Sequence, residues 1–355
     1  MTHFSKTQAN IITSSSHPVP LSGDLTLTRS IVSEEGYLLA VRTLDEKDTY
    51  NEVENNEGVI QNYGKNQILI GALGERQALR GYSGIVPQTI KAGDELHILN
   101  KGGMIGKCLS PHPELGPPMR VEVLGAVMVE SDHELKHACV QDYAIEWSYS
   151  LEDSKPIVMV SGTCMHVGKT YAAGEIIKQL SSNGYRVAAA KLTGASLIRD
   201  VRAMQDQGAV AVTHFGEAGV VSTTSKNILP MAKGLINHLN KKHPDVIVVE
   251  LGDGIIGPYG VDSILMDKQL QKFTSAHVVA AHDLMGCWAA ERMFTERFGD
   301  QIHLMTGPVT DNDVGVDYIN NTLGIDALNA RASSGEIGNR IEELMFAGKR
   351  KAMQA

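Results

Sequence analysis

Residues 158–174, VMVSGTCMHVGKTYAAG, decide the fold of this chain. An apolar run stops at Gly162, five residues follow, and Gly168-Lys169-Thr170 opens a stretch of helix-forming composition. Strand, glycine-bounded loop and helix in that order build an anion nest: the backbone curls so that successive N–H groups point inward, and the helix adds its positive dipole end. In such a loop Lys169 sits against the β and γ phosphates of a nucleotide, and the Thr170 hydroxyl ligates Mg²⁺. Gly162, Thr163, His166, Val167, Gly168, Lys169 and Thr170 are therefore candidate nucleotide-binding residues.

Outward from the loop, apolar runs alternate with helical stretches, which is the pattern of βαβ units on a mostly parallel sheet flanked by helices. The expected strands are PIVMVS, RVAAAKL, AVAVTHF, VIVVEL, HVVAAH and IHLMTG; Asn183-Gly184 and Gly299 are expected helix stops. An α/β phosphate-loop domain is thus expected over 156–355. Ahead of it the texture differs. From 23 to 130, short apolar runs are broken by Gly, Pro and Asn, with a hairpin signal at Glu34-Glu35-Gly36, which predicts a smaller β-barrel-like domain. Residues 1–22 are polar and unpatterned and predict a flexible leader, and 131–155 predict a linker.

Bulk composition agrees with an ordinary globular chain: 355 residues, 43% apolar, 21% charged and a formal charge of −9. At roughly 150 residues per domain the length suits two. The acidic balance argues against a phosphate-backbone binder, so no nucleic-acid partner is expected. The N-terminal stretch has no apolar core of the length a signal peptide needs (about 7–15 residues), and nowhere do about 18 apolar residues run together as in a membrane span, so a cytoplasmic protein with no membrane partner is expected. The four cysteines, Cys108, Cys139, Cys164 and Cys287, form no CxxC pair and are expected to be free thiols.

The spacing of the loop, one residue longer than the common GxxxxGK[ST], carries a resemblance. GTCMHVGKT resembles the GTDTEVGKT of dethiobiotin synthetase and, more loosely, the loops of the amidating synthases of cobyrinic acid; the early signature lysine of partitioning ATPases is replaced by Thr163. The resemblance covers 156 to about 325 and implies an ATP- and Mg²⁺-dependent C–N ligase that activates a small carboxylate or carbamate as an acyl phosphate. It implies a homodimer as well. By the same resemblance Lys191, in AAAKLTGAS, is a second catalytic lysine beside Lys169, and Asp200 in IRDVRAMQ is a Mg²⁺ ligand, with Asp206 as the fallback. Glu250, ending VIVVE, matches the family's metal-binding glutamate, with Asp253 as a possible second carboxylate; Asn312 in TGPVTDN stands where the family reads adenine. A lysine or carboxylate at a strand's carboxyl end also faces the ligand crevice on physical grounds alone.

Two departures bear on substrate. Cys164, Met165 and His166 replace the family's acidic and hydroxyl loop residues, so the acid is not that of dethiobiotin synthetase. After the third strand, His214, Glu217, Ser222, Thr223 and Thr224 offer hydroxyls and a histidine to a second anionic ligand, or equally a capping cluster. Arg76, Arg80 and Arg120 of the front domain suit carboxylate or phosphate, or plain solvation. Other outcomes of such a loop are a small-molecule kinase and a nucleotide-gated, metal- or cofactor-delivering NTPase, although no NKxD motif occurs. Finally, HELKH at 133–137 is a literal zincin string, yet it lies in the charged linker, where the period-2 residues Tyr143, Ile145, Trp147, Tyr149 and Leu151 predict a strand rather than a zincin helix.

Overall fold

The computed structural model describes residues 4–131, 133–332 and 335–353. It divides into two compact units, one of Met1–Ile145 with Ala195–Arg199 and Phe215–Thr223, the other of the remaining residues.

The second unit is a parallel α/β layer structure. Its strands are β1 (Ile157–Gly162), β2 (Val187–Thr193), β3 (Ala211–His214), β4 (Val246–Leu251), β5 (Thr274–Ala280), β6 (Leu304–Thr306) and β7 (Asp326–Ala327). They form one sheet in the order β3-β2-β4-β1-β5-β6-β7, every pairing parallel. The six expected strands are all present, and β7 is an addition too short for any sequence signal. Helices α1 (Lys169–Ser182), α2 (Arg199–Asp206), α3 (Ile228–Asn240), α4 (Val261–Met266), α5 (Lys268–Phe273), α6 (Leu284–Arg292), α7 (Asp313–Asp317) and α8 (Glu336–Met353) connect or follow them. β1 and β4 are buried at every position, which is why they read as unbroken apolar runs. α1 stops at Asn183 with Gly184 at φ +90°, and α6 runs through a π-helical turn to Gly299 at φ +65°, the stops expected from sequence.

The first unit is mostly strand. The 12-residue strand Arg120–Ser131 is its spine and pairs antiparallel with Leu38–Thr43, Glu95–Ile98, Asp24–Thr28 and Glu134–His137. Ile68–Ala72 extends the sheet beyond Leu38–Thr43. Both faces are covered: Leu39 and Val41 enter one apolar cluster while Leu38 and Ala40 enter another, which makes LLAV a continuous apolar run instead of an alternating one.

Three expectations differ here. The polar residues read as a leader are built into the sheet: Phe4–Gln8 pairs with Asp24–Thr28, Ile11–Ile12 pairs with Ile68–Ala72, and Ser14–Ser16 are buried. Thr and Ser satisfy one another and the backbone there, as in the bond from Ser16 Oγ to Thr13 O (2.7 Å), so polarity did not signal exposure. Within the expected linker, 134–137 is a strand, so the two histidines of HELKH do not share a helical face; His133 is a turn residue at φ +65° and His137 Nε2 meets Ser30 O at 2.7 Å. Residues 146–155 form no strand. They run along α3, with Ser148 N donating to Pro230 O (2.9 Å) and Lys155 N to Asn240 Oδ1 (3.0 Å).

Candidate phosphate and nucleoside site

The carboxyl ends of three neighbouring strands set three side chains in one row. Lys191 of β2 is in register with His214 of β3 on one side and with Glu250 of β4 on the other, so all three share a face of the sheet. Beside Glu250, β1 turns into the glycine loop.

That loop is held by backbone contacts that exclude larger residues. A Cβ on Gly162 would lie 2.8 Å from Val167 and 2.9 Å from Ala280 O, so glycine is required at this closing position. Thr163 N donates to Ala280 O (2.9 Å) and Ile255 N to Gly162 O (2.8 Å), tying the loop to the end of β5 and to the segment after β4. His166 and Gly168 both lie in the left-handed region, at φ +63° and +93°, which curls the loop; His166 is exposed and Val167 is buried beneath it.

Below the loop the charges are buried and opposed. Lys169 is 6% exposed and its Nζ donates to Cys164 O (2.7 Å). Burial holds its ammonium below the ordinary lysine range, an effect that Glu250 opposes and Lys191 adds to. Lys191 pairs with Asp200, at the start of α2, and lies 3.9 Å from Glu250 Oε1. Thr170 Oγ1 donates to that same Oε1 (2.9 Å). Burial raises the Glu250 carboxyl above the usual carboxylate range, against the pull of Lys191, and its Oε2 is buried without a hydrogen-bond partner among the described residues. An orphan carboxylate oxygen and a hydroxyl on one carboxylate are hard oxygen donors that fit Mg²⁺. Thr170 and Glu250 are thus placed to hold the ion, whereas Asp200 is engaged with Lys191.

A small open cleft adjoins the loop, lined by Val167, Gly168, Tyr171, Asp311, Asn329 and Arg331 among others. Gly307, at φ +99°, brings the segment after β6 against the loop, since a Cβ there would lie 2.7 Å from Val167 O. Asn312 is exposed and serves as the N-cap of α7, its Oδ1 accepting from Val314 N (3.1 Å); it does not line this cleft. Ser222 and Thr223 fold with the front unit, where Ser222 bridges to Ala195. The structure therefore gathers Gly162, Thr163, Val167, Gly168, Lys169, Thr170, Lys191, Asp200, His214 and Glu250, with Cys164 contributing a carbonyl, and leaves Asn312 apart. Tyr171, Asp311, Asn329 and Arg331 were missed. Asp311 adjoins the chosen Asn312, and Asn329 and Arg331 lie in a polar turn after β7 that carries no local signal.

No family model matches the sequence, and no curated protein matches it. Solved structures do. The chain is similar to the signal recognition particle receptor FtsY of Elizabethkingia anophelis (14% identity, 56% of this chain and 67% of that one, TM-score 0.38) and to chloroplast FtsY of Physcomitrella patens (15%, 58% and 71%, 0.39). It is also similar to the 54 kDa signal recognition particle protein of Aeropyrum pernix in complex with GDP (16%, 58% and 49%, 0.36). The likeness is one of fold, a parallel sheet flanked by helices, and no residue role is taken from it. All three are named as signal recognition particle components or receptors and none as a ligase or kinase, and the expectation of an ATP-dependent C–N ligase is corrected on that finding. No helix among the described residues is long and apolar enough to cross a membrane.

Proposed function

We propose that the chain binds a nucleoside triphosphate with Mg²⁺ and hydrolyses its terminal phosphate. The observation that carries this reading is the set Lys169, Thr170, Lys191 and Glu250 gathered under the glycine loop, Lys169 and Glu250 buried and the other two half-buried. Lys169, Lys191 and Glu250 oppose one another in the free protein and can exchange those partners for a Mg²⁺–triphosphate, the lysines turning to phosphate oxygens and Glu250 to the cation, so that entering charge meets opposite charge already in place. Lys169 leaves the Cys164 carbonyl for the β and γ phosphates, and the loop N–H groups and the start of α1 add donors in fixed positions. Thr170 and Glu250 would hold Mg²⁺, which when bound would supply positive charge to the terminal phosphates. Lys191, released from Asp200, places a second cation at the transferring phosphoryl group. The cleft at Asp311 and Arg331 receives the nucleoside end.

The test is phosphate release from nucleoside triphosphates by the full chain, with Mg²⁺ and with EDTA, beside Glu250→Ala. Mg²⁺-dependent turnover that falls at least about 100-fold in the variant supports the reading. Release that ignores EDTA, or that survives Glu250→Ala, overturns it.

A further inference from the structure

Resting on that reading of the site, we propose that Asp253 is a catalytic residue for the hydrolysis: its carboxylate orients the attacking water against the terminal phosphorus and takes its proton. From sequence Asp253 is a possible second metal carboxylate. Its place in the fold suits a different task.

The order of the strands sets the direction of the phosphates. The cleft lies on the β6 side of the glycine loop, whereas Glu250 and Lys191 end β4 and β2 on its other side, so the terminal phosphate points toward β4 and β2. In-line displacement needs the water on the side of the phosphorus away from the diphosphate. Residues 252–255, which follow β4, cover that side and are fastened at both ends: Thr193 Oγ1 donates to Gly252 O (2.9 Å), and Ile255 N donates to Gly162 O (2.8 Å). Neither glycine of this segment admits a side chain. A Cβ on Gly252 would meet Thr193 O and lie 3.2 Å from Lys191 Cε, and one on Gly254 would lie 2.7 Å from Thr163 O and 3.3 Å from Cys164 Cα. Asp253 is therefore held between Lys191 on one side and the glycine loop on the other.

Asp253 is half-buried and lies at φ +68°, where glycine would sit without strain, and its negative charge acts on the Lys169 ammonium. With Lys169 and Lys191 on phosphate oxygens and Glu250 on the cation, the task that remains is the nucleophile. A carboxylate accepts hydrogen bonds and donates none, so a water held by Asp253 turns a hydrogen toward it and a lone pair toward the phosphorus. In the step, the water oxygen bonds to the terminal phosphorus, and the bond from that phosphorus to the bridging oxygen breaks with its electron pair going to the diphosphate. The water proton passes to an Asp253 oxygen and from there to the released phosphate.

The test is single-turnover hydrolysis of ATP and of GTP with Mg²⁺ by the full chain, beside Asp253→Asn and Asp253→Gly, together with equilibrium binding of the two imidotriphosphate analogues across a Mg²⁺ titration. Both substitutions should lower the hydrolysis rate at least about 100-fold while analogue affinity and the Mg²⁺ half-saturation stay within about threefold of the native values. Glycine adopts φ +68° without strain, so a rate lost in Asp253→Gly is not the work of a disturbed turn. A rate that survives either substitution to within about threefold overturns the assignment and leaves the phosphate reading standing. A Mg²⁺ half-saturation raised about tenfold or more overturns it as well, because Asp253 is then a ligand of the ion. If the native chain neither binds the analogues nor hydrolyses either triphosphate, the phosphate reading fails and the role of Asp253 with it.

Discussion

Lys169 and Glu250 are buried at the ends of parallel strands, with Lys191 and Asp200 half-buried beside them, so each charge has an opposite within reach; in the front unit Glu54 is buried with backbone N–H groups at its two oxygens, and the half-buried Glu35 meets the Ser222 backbone with Glu75 nearby. Glu54 is fully buried, and its two oxygens accept from Ile198 N and Arg199 N at 2.8 Å each. Glu35 takes one bond from the Ser222 backbone while its Oε1 has no partner. The contrast separates two uses of buried charge. A cluster of opposed ions can trade partners with a ligand, whereas a lone carboxylate bound to peptide groups can only hold the chain in place.

The largest effect should come from breaking the cluster. Lys169→Ala removes the cation nearest the loop, and triphosphate hydrolysis should fall about 1,000-fold while the unfolding transition of the front unit stays where it was; a smaller loss, near tenfold, would put the lysine outside the phosphate site. Next comes Glu54→Ala, which orphans the buried Ile198 N–H and the part-buried Arg199 N–H and should cost the front unit about 3 kcal/mol in urea unfolding. A cost below about 1 kcal/mol would mean that water replaces the carboxylate and that the two classes of buried charge are less distinct than they look.

Glu35 sharpens the contrast through pH. Burial, with Glu75 nearby, pushes its carboxyl from the ordinary 4.5 up to about 7, against the Ser222 bond that lowers it. A carboxyl raised on folding gives stability that is complete below its unfolded value and is lost as pH rises through the folded one, so the front unit should weaken by about 2 kcal/mol between pH 4.5 and 8. Glu35→Gln should flatten that slope, read as the urea midpoint against pH; an unchanged slope would assign the dependence elsewhere. Asn312→Ala gives the smallest effect. Losing the α7 cap costs about 1 kcal/mol at most and leaves nucleotide affinity unchanged, and a tenfold loss of affinity would return Asn312 to the binding site.

Legibility followed the range of the interactions. β1, the loop and α1 are contiguous, and the burial of β1, β2 and β4 left apolar runs that needed no partner to be seen. Lys191 and Glu250 were found because strand ends in a parallel sheet converge on one edge, so each could be placed by its own strand. The cleft beside the loop was not legible, because it is closed by turns: Asn329 earns notice only through its bonds to Thr310 and Asp311, 19 and 18 residues earlier. The front unit was legible in texture alone. Its polar first residues look like a free end until the pairings at Ile68–Ala72 and Asp24–Thr28 are known.

From residue order alone, then, came the phosphate loop, the parallel α/β layer around it and the cation and carboxylate at its strand ends, since periodicity, glycine spacing and strand termini are local properties of the chain. The tertiary structure decided which neighbour of the Asp311-Asn312 pair faces the cleft, that Asp200 is engaged with Lys191, and that Ser222 and Thr223 belong to the front unit. Those outcomes depend on contacts between segments far apart in sequence, and for such contacts the identity of a residue states what it can bond but not what it meets.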